Sequence, residues 1–126
     1  MVDLICLREG FAENAQELFA LGYMGKVNLL LSSLSLVNAM YICRKYSYQD
    51  IVKSLTEITS FVDVIDMKGQ SAVAALSSSW SDYEDAVQFY TALSCSSDCI
   101  VTRNEKDFAL STIPVYNIEH FLNLVM

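Results

Sequence analysis

Residues 81–108 read SDYEDAVQFYTALSCSSDCIVTRNEKDF, and the fold turns on this stretch. Ser81 and Asp82 are helix-opening residues, and Tyr83 to Leu93 carries the apolar spacing of a helix. Asp98 then leads into Cys99-Ile100-Val101-Thr102, a compact apolar strand. A helix that runs back across a sheet before a strand of this kind belongs to a parallel arrangement with right-handed crossovers. Its first turn, with Asp82, Glu84 and Asp85, should therefore lie near Arg103, Asn104 and Asp107, the residues that leave the strand.

The same alternation extends in both directions. Upstream, Phe11 to Tyr23 is an amphipathic helix closed by Gly25, and Val27 to Leu31 is a buried strand. Leu34 to Tyr46 is a serine-capped helix, a further helix runs from the Ser47 and Asp50 pair to Ser60, and Phe61 to Asp66 is a β-branched strand. Ser71 to Ser78 forms a short helix. Downstream, Ile113 to Tyr116 is a strand and Ile118 to Val125 a helix. Strands separated by helices predict an α/β class, a three-layer α/β/α sandwich around a central parallel sheet.

Composition agrees with one packed domain over residues 1–126. Of the 126 residues, 53% are hydrophobic and 18% charged, with one proline and four glycines, which leaves no segment resembling a linker. Fifteen acids against eight bases give a formal charge of −7, which excludes a broad basic surface that holds nucleic acid by phosphate neutralisation alone. Cys6 and Cys43 sit in apolar runs and read as small hydrophobes in a reducing compartment. Cys95 and Cys99, with His120 as the one histidine, fall short of a zinc ligand set. Met1 to Leu7 is too short and too acidic for a signal peptide, and no apolar run is long enough to span a membrane. A cytoplasmic protein is the expectation.

Open parallel sheets gather functional groups beyond the carboxyl ends of their strands. Asp82, Asp85, Asn104 and Asp107 fall at that edge, with Asn38 one turn into the helix after the first buried strand. Carboxylates held together repel one another, and a divalent cation with a preference for hard oxygen ligands, magnesium or manganese, relieves the repulsion. Such a centre suits phosphodiester hydrolysis. The same residues also read as helix caps, Asp82 with Asp85 and Asn104 with Asp107. Arg103 and Lys106 either grip phosphate or pair with the nearby acids. His120 and Trp80 read as surface and packing residues.

The segments D-Y-E-D-A-V-Q from Asp82 to Gln88, I-V-T-R-N-E-K-D-F from Ile100 to Phe108 and I-P-V from Ile113 to Val115 resemble the C-terminal half of PIN domains in order and spacing. Weaker agreement runs upstream through Leu7 to Phe11 and Leu29 to Tyr46. The resemblance implies a small α/β/α ribonuclease, commonly a VapC-like toxin of a toxin–antitoxin pair and a homodimer, that cleaves RNA with magnesium or manganese. It implies Asp85 and Asp107 as catalytic metal ligands, with Asn104 at a further ligand position and Asp82 as a helper.

Two departures from the family pattern stand out. Asn38 occupies the place where the family usually has a glutamate. The first central strand, which ends in Asp-x-Asn, has no counterpart, and Asp3 aligns with the acid that follows it. Either the natural start lies upstream of Met1 or the chain is a degenerate homologue. Residues 1–7 read as a substitute strand that brings Asp3 to the acidic edge, or Met1 to Arg8 reads as a helix on the spacing of Leu4, Leu7 and Phe11.

Overall fold

The computed structural model describes residues 12–126. The expectations for Asp3, Cys6 and the strand or helix over the first eight residues lie outside them. Helices and strands alternate along the described chain: α1 (Ala12–Tyr23), β1 (Leu30–Ser32), α2 (Ser33–Ile42), α3 (Tyr48–Thr59), β2 (Asp63–Ile65), α4 (Gly69–Leu76), α5 (Tyr83–Ser94), β3 (Ile100–Val101), β4 (Val115–Tyr116) and α6 (Ile118–Val125). A 3₁₀ turn, Glu105–Phe108, lies between β3 and β4. Among the described residues the strands pair two by two, β1 with β2 and β3 with β4. The β3–β4 pair is parallel, Ile100 opposite Val115 and Val101 opposite Tyr116.

The elements form where local chemistry directs them. At the end of α1, Gly25 takes a φ of 75°, Lys26 donates to the Leu21 carbonyl at 3.0 Å and Gly25 to that of Gly22 at 3.1 Å. This is the left-handed Schellman closure that glycine favours. The Ser32 hydroxyl accepts from the Ser35 amide at 3.1 Å and starts α2. That helix ends at Ile42, four residues short of the expected Tyr46. Cys43 leaves helical geometry with φ −91° and ψ 12°, and the Tyr46 amide bonds to the Cys43 carbonyl at 2.9 Å instead of continuing the ladder.

The strands are likewise shorter than their apolar runs. Phe61 and Val62 both donate to the Ile58 carbonyl, so the chain is still unwinding from α3 where β-branched residues predicted a strand. Backbone pairing, not composition, sets strand ends. At β3 the flanking bonds Ile100 to the Pro114 carbonyl and Thr102 to the Tyr116 carbonyl, both 2.9 Å, complete the parallel ladder. The connection between β3 and β4 is about as long as a parallel crossover requires.

The chain divides into two compact units between Val64 and Ile65. The first has its core where α2 meets α3: Ala39, Cys43, Ile51 and Leu55 are buried, and Leu36 and Met40 pack on them. Cys43 is fully enclosed, as its apolar surroundings predict. Phe61 meets Phe19 and Tyr23 of α1 edge-on, at 6.3 and 5.6 Å between ring centroids. In the second unit α4 packs on α5, and the Tyr83 hydroxyl donates to the Ala72 carbonyl at 3.0 Å. Helix α5 ends in a Schellman closure like that of α1, except that Ser96 holds the left-handed position with φ 57°.

Candidate active site

The site is built on the first turn of α5 and the 3₁₀ turn after β3. Asp82 is the N-cap of α5, and its carboxylate accepts from the Asp85 amide at 2.9 Å. Asp82 therefore has a structural task, as its spacing predicted. Asp85 lies one turn in, half-buried, on the side of the helix that leads to buried Phe89.

Asn104 opens the 3₁₀ turn, but its side chain caps nothing; the Asp107 amide bonds to the Asn104 main-chain carbonyl at 3.0 Å. The expected Asn104–Asp107 side-chain cap does not form. A tight 3₁₀ turn satisfies that amide from the backbone. The Thr102 hydroxyl accepts from the Asn104 amide at 3.2 Å and turns the chain sharply out of β3.

Aromatic packing brings the two carboxylates together. Phe108 is buried and meets Trp80 edge-on at 5.5 Å, and Trp80 stacks on Phe89 at 5.1 Å. Phe89 follows Asp85 by one helical turn and Phe108 follows Asp107 directly, so this cluster holds the 3₁₀ turn on α5, near enough for the charge of Asp107 to act on Asp85. Sequence reading placed Trp80 in a packing role but missed what it positions. The adjacency of Phe108 to Asp107 was the available signal.

The electrostatic consequence falls on Asp85. Its pKa is pushed up from 3.8 to about 6, first by burial and then by the negative charges of Asp82, Asp107 and Glu84. All three charges act on Asp85 in the same direction. Its hard carboxylate oxygens are of the kind that suit magnesium or manganese. Asp85 and Asp107 can serve as two ligands, but among the described residues no three Asp, Glu, His or Cys side chains converge as a metal site.

Arg103 and Lys106 are exposed on the segment that carries Asn104 and Asp107. Asn38 lies in α2 of the first unit. His120 is exposed on α6, its amide bonded to the capping Asn117 side chain at 2.7 Å and its ring edge-on to Tyr116 at 5.0 Å. Glu105 accepts from the Asn117 amide group at 2.9 Å, which links the 3₁₀ turn to the start of α6.

The model of the PIN domain family matches residues 1–106. The chain belongs to the PIN domain family. Its α/β alternation with parallel β3 and β4 is that of a PIN-like fold, and the family is one of nucleases that generally use divalent metals. The matched region takes in the first turn of α5, the exit of β3 and Lys106, and stops one residue short of Asp107. Comparison with curated proteins and with solved structures gives no match. Among the described residues no helix is long and apolar enough to cross a membrane.

Proposed function

We propose that this PIN protein is a metal-dependent endoribonuclease, folded as one domain over residues 1–126, that hydrolyses RNA phosphodiester bonds. The observation that carries the reading is the raised pKa of Asp85, which burial causes first and to which the carboxylates of Asp82 and, from a separate element, Asp107 add. Structural acids are commonly caps or ion-pair partners, and Asp82 is accounted for in that way. Asp85 is not.

In this reading Asp85 and Asp107 hold the cation, Asn104 contributes a neutral oxygen, and Asp82 fixes the helix turn from which Asp85 projects. A bound magnesium or manganese ion would supply positive charge against the scissile phosphate and lower the pKa of an attacking water. Arg103 and Lys106 attract and orient the RNA backbone from the same segment. The VapC-like toxin role and a protein antitoxin as partner rest on the subtype resemblance, and a cytoplasmic setting rests on the cysteines read as free thiols in apolar runs. A homodimer has the support of exposed Val73, Leu76 and Leu124 in the second unit.

One observation favours a second reading, a non-catalytic interaction module: among the described residues no group of three Asp, Glu, His or Cys side chains is placed to hold a metal ion. Incubation of structured RNA with manganese and the wild-type, Asp85→Ala or Asp107→Ala protein separates the two. Cleavage by the wild type that both variants lose is the expected result. Equal traces from all three proteins would refute the assignment.

A further inference from the structure

The chain carries no Asp or Glu between Glu17 and Asp50, although fifteen of its residues are acidic. Within that acid-free stretch the turn from α2 to α3 reads Tyr41-Ile42-Cys43-Arg44-Lys45-Tyr46-Ser47-Tyr48. Cys43 is its buried anchor, and the three tyrosines face outward, Tyr41 exposed by 65%, Tyr46 by 45% and Tyr48 by 64%. The Arg44 guanidinium carbon lies 4.1 Å from the centre of the Tyr41 ring, and its Nη1 donates to the Tyr41 carbonyl at 2.8 Å. The Lys45 ammonium lies 5.4 Å from the centre of the Tyr46 ring. Tyr48 also walls an open apolar groove of about 290 Å³ with Leu36, Met40 and Val52, which Thr56 and Thr59 line as well.

We propose that this turn is a docking platform for single-stranded RNA, in which the tyrosine rings and the groove take unstacked bases while Arg44 and Lys45 take the phosphates between them. The proposal rests on RNA as the substrate of the reading above, but its residues lie wholly within the first unit and none belongs to the acidic centre. Single-stranded nucleic acid is held by planar rings alternating with cations, because every base has a face to stack and every linkage a negative charge. A helix-binding surface would instead present apolar anchors at helical spacing without interleaved cations. Arg44 is already ordered by its ring contact and its bond to the helix end, so less freedom is lost when a phosphate arrives. The locally positive charge complements RNA in a protein whose net charge of −7 repels it elsewhere.

The test is fluorescence anisotropy with a labelled oligouridine of about twelve nucleotides, a length within the span of single-strand sites, in EDTA so that binding is read without cleavage. Tyr41→Ala with Tyr48→Ala should weaken binding roughly tenfold or more, and Tyr41→Phe with Tyr48→Phe should restore it, since stacking needs the ring and not the hydroxyl. Arg44→Gln with Lys45→Gln should make the slope of log Kd against log salt shallower by about 1.4, the loss of two phosphate contacts on a single strand. All these side chains are exposed, and unchanged circular dichroism checks that the variants fold. Unchanged affinity and slope, or no wild-type binding, would overturn the proposal. So would loss of binding to phosphatidylserine vesicles with RNA binding intact, which would make the patch a lipid-facing surface. Binding without any wild-type cleavage would remove the nuclease reading and leave the platform standing.

Discussion

Asp85→Asn removes a carboxyl group whose pKa the fold pushes up from 3.8 to about 6. A raised carboxyl pKa means that the folded chain holds this proton more tightly than the unfolded chain. Between about pH 4 and pH 6 the unfolded state therefore binds fewer protons, and this group makes stability fall as pH rises through that window. Above roughly pH 7 both states are ionised and the penalty is constant. A shift of about two units corresponds to about 3 kcal/mol as an upper bound. The carboxylate remains open to water on one side, and screening reduces this to about 1 kcal/mol.

Asparagine keeps the shape and cannot ionise, and constant differences between amide and acid cancel when the same pair is compared at two pH values. Urea unfolding of both proteins at about pH 4 and about pH 7.5 reads the effect directly, with m unchanged. The stability of Asp85→Asn relative to wild type should be greater by about 1 kcal/mol at the higher pH, equivalent to about 3 °C in Tm. A relative stability that is the same at both pH values, or lower at the higher one, would show that Asp85 does not sit in the half-buried, negatively charged surroundings described above.

Two further outcomes follow from particular contacts. Thr91 of α5 is only 3% exposed and its hydroxyl has no hydrogen-bond partner among the described residues, so Thr91→Val should stabilise the protein by about 1 kcal/mol in the same unfolding assay. Phe108→Ala should destabilise it by about 3 kcal/mol and, by releasing Asp107 from α5, return the Asp85 pKa toward 3.8, which carbon-13 NMR titration of the Asp85 carboxyl would detect.

Features that depend on neighbours within one turn of chain were legible in advance. Gly25 at the close of α1 and the Ser32, Ser47 and Asp82 caps all act over three to five residues. Their chemistry is written in adjacent letters. Where such signals conflicted with longer-range pairing, the sequence reading overran: the apolar residues at Phe61 and Val62 suit a strand, yet their amides remain bonded to the end of α3. The family motif was legible for a similar reason, since it consists of a capped turn and a strand exit at fixed spacing.

The sequence alone determined the order of elements, the turns that bound them and the acids available at the C-terminal edge. Tertiary structure decided which of those acids matter to one another. Asp82 and Asp107 are alike as letters, but Asp82 acts on Asp85 from within the helix turn that it caps, whereas Asp107 acts on it from a separate element that Phe108 and Trp80 hold on α5. A carboxyl pKa depends on burial and on charges a few ångströms away, and those distances exist only once aromatic rings distant in sequence have packed.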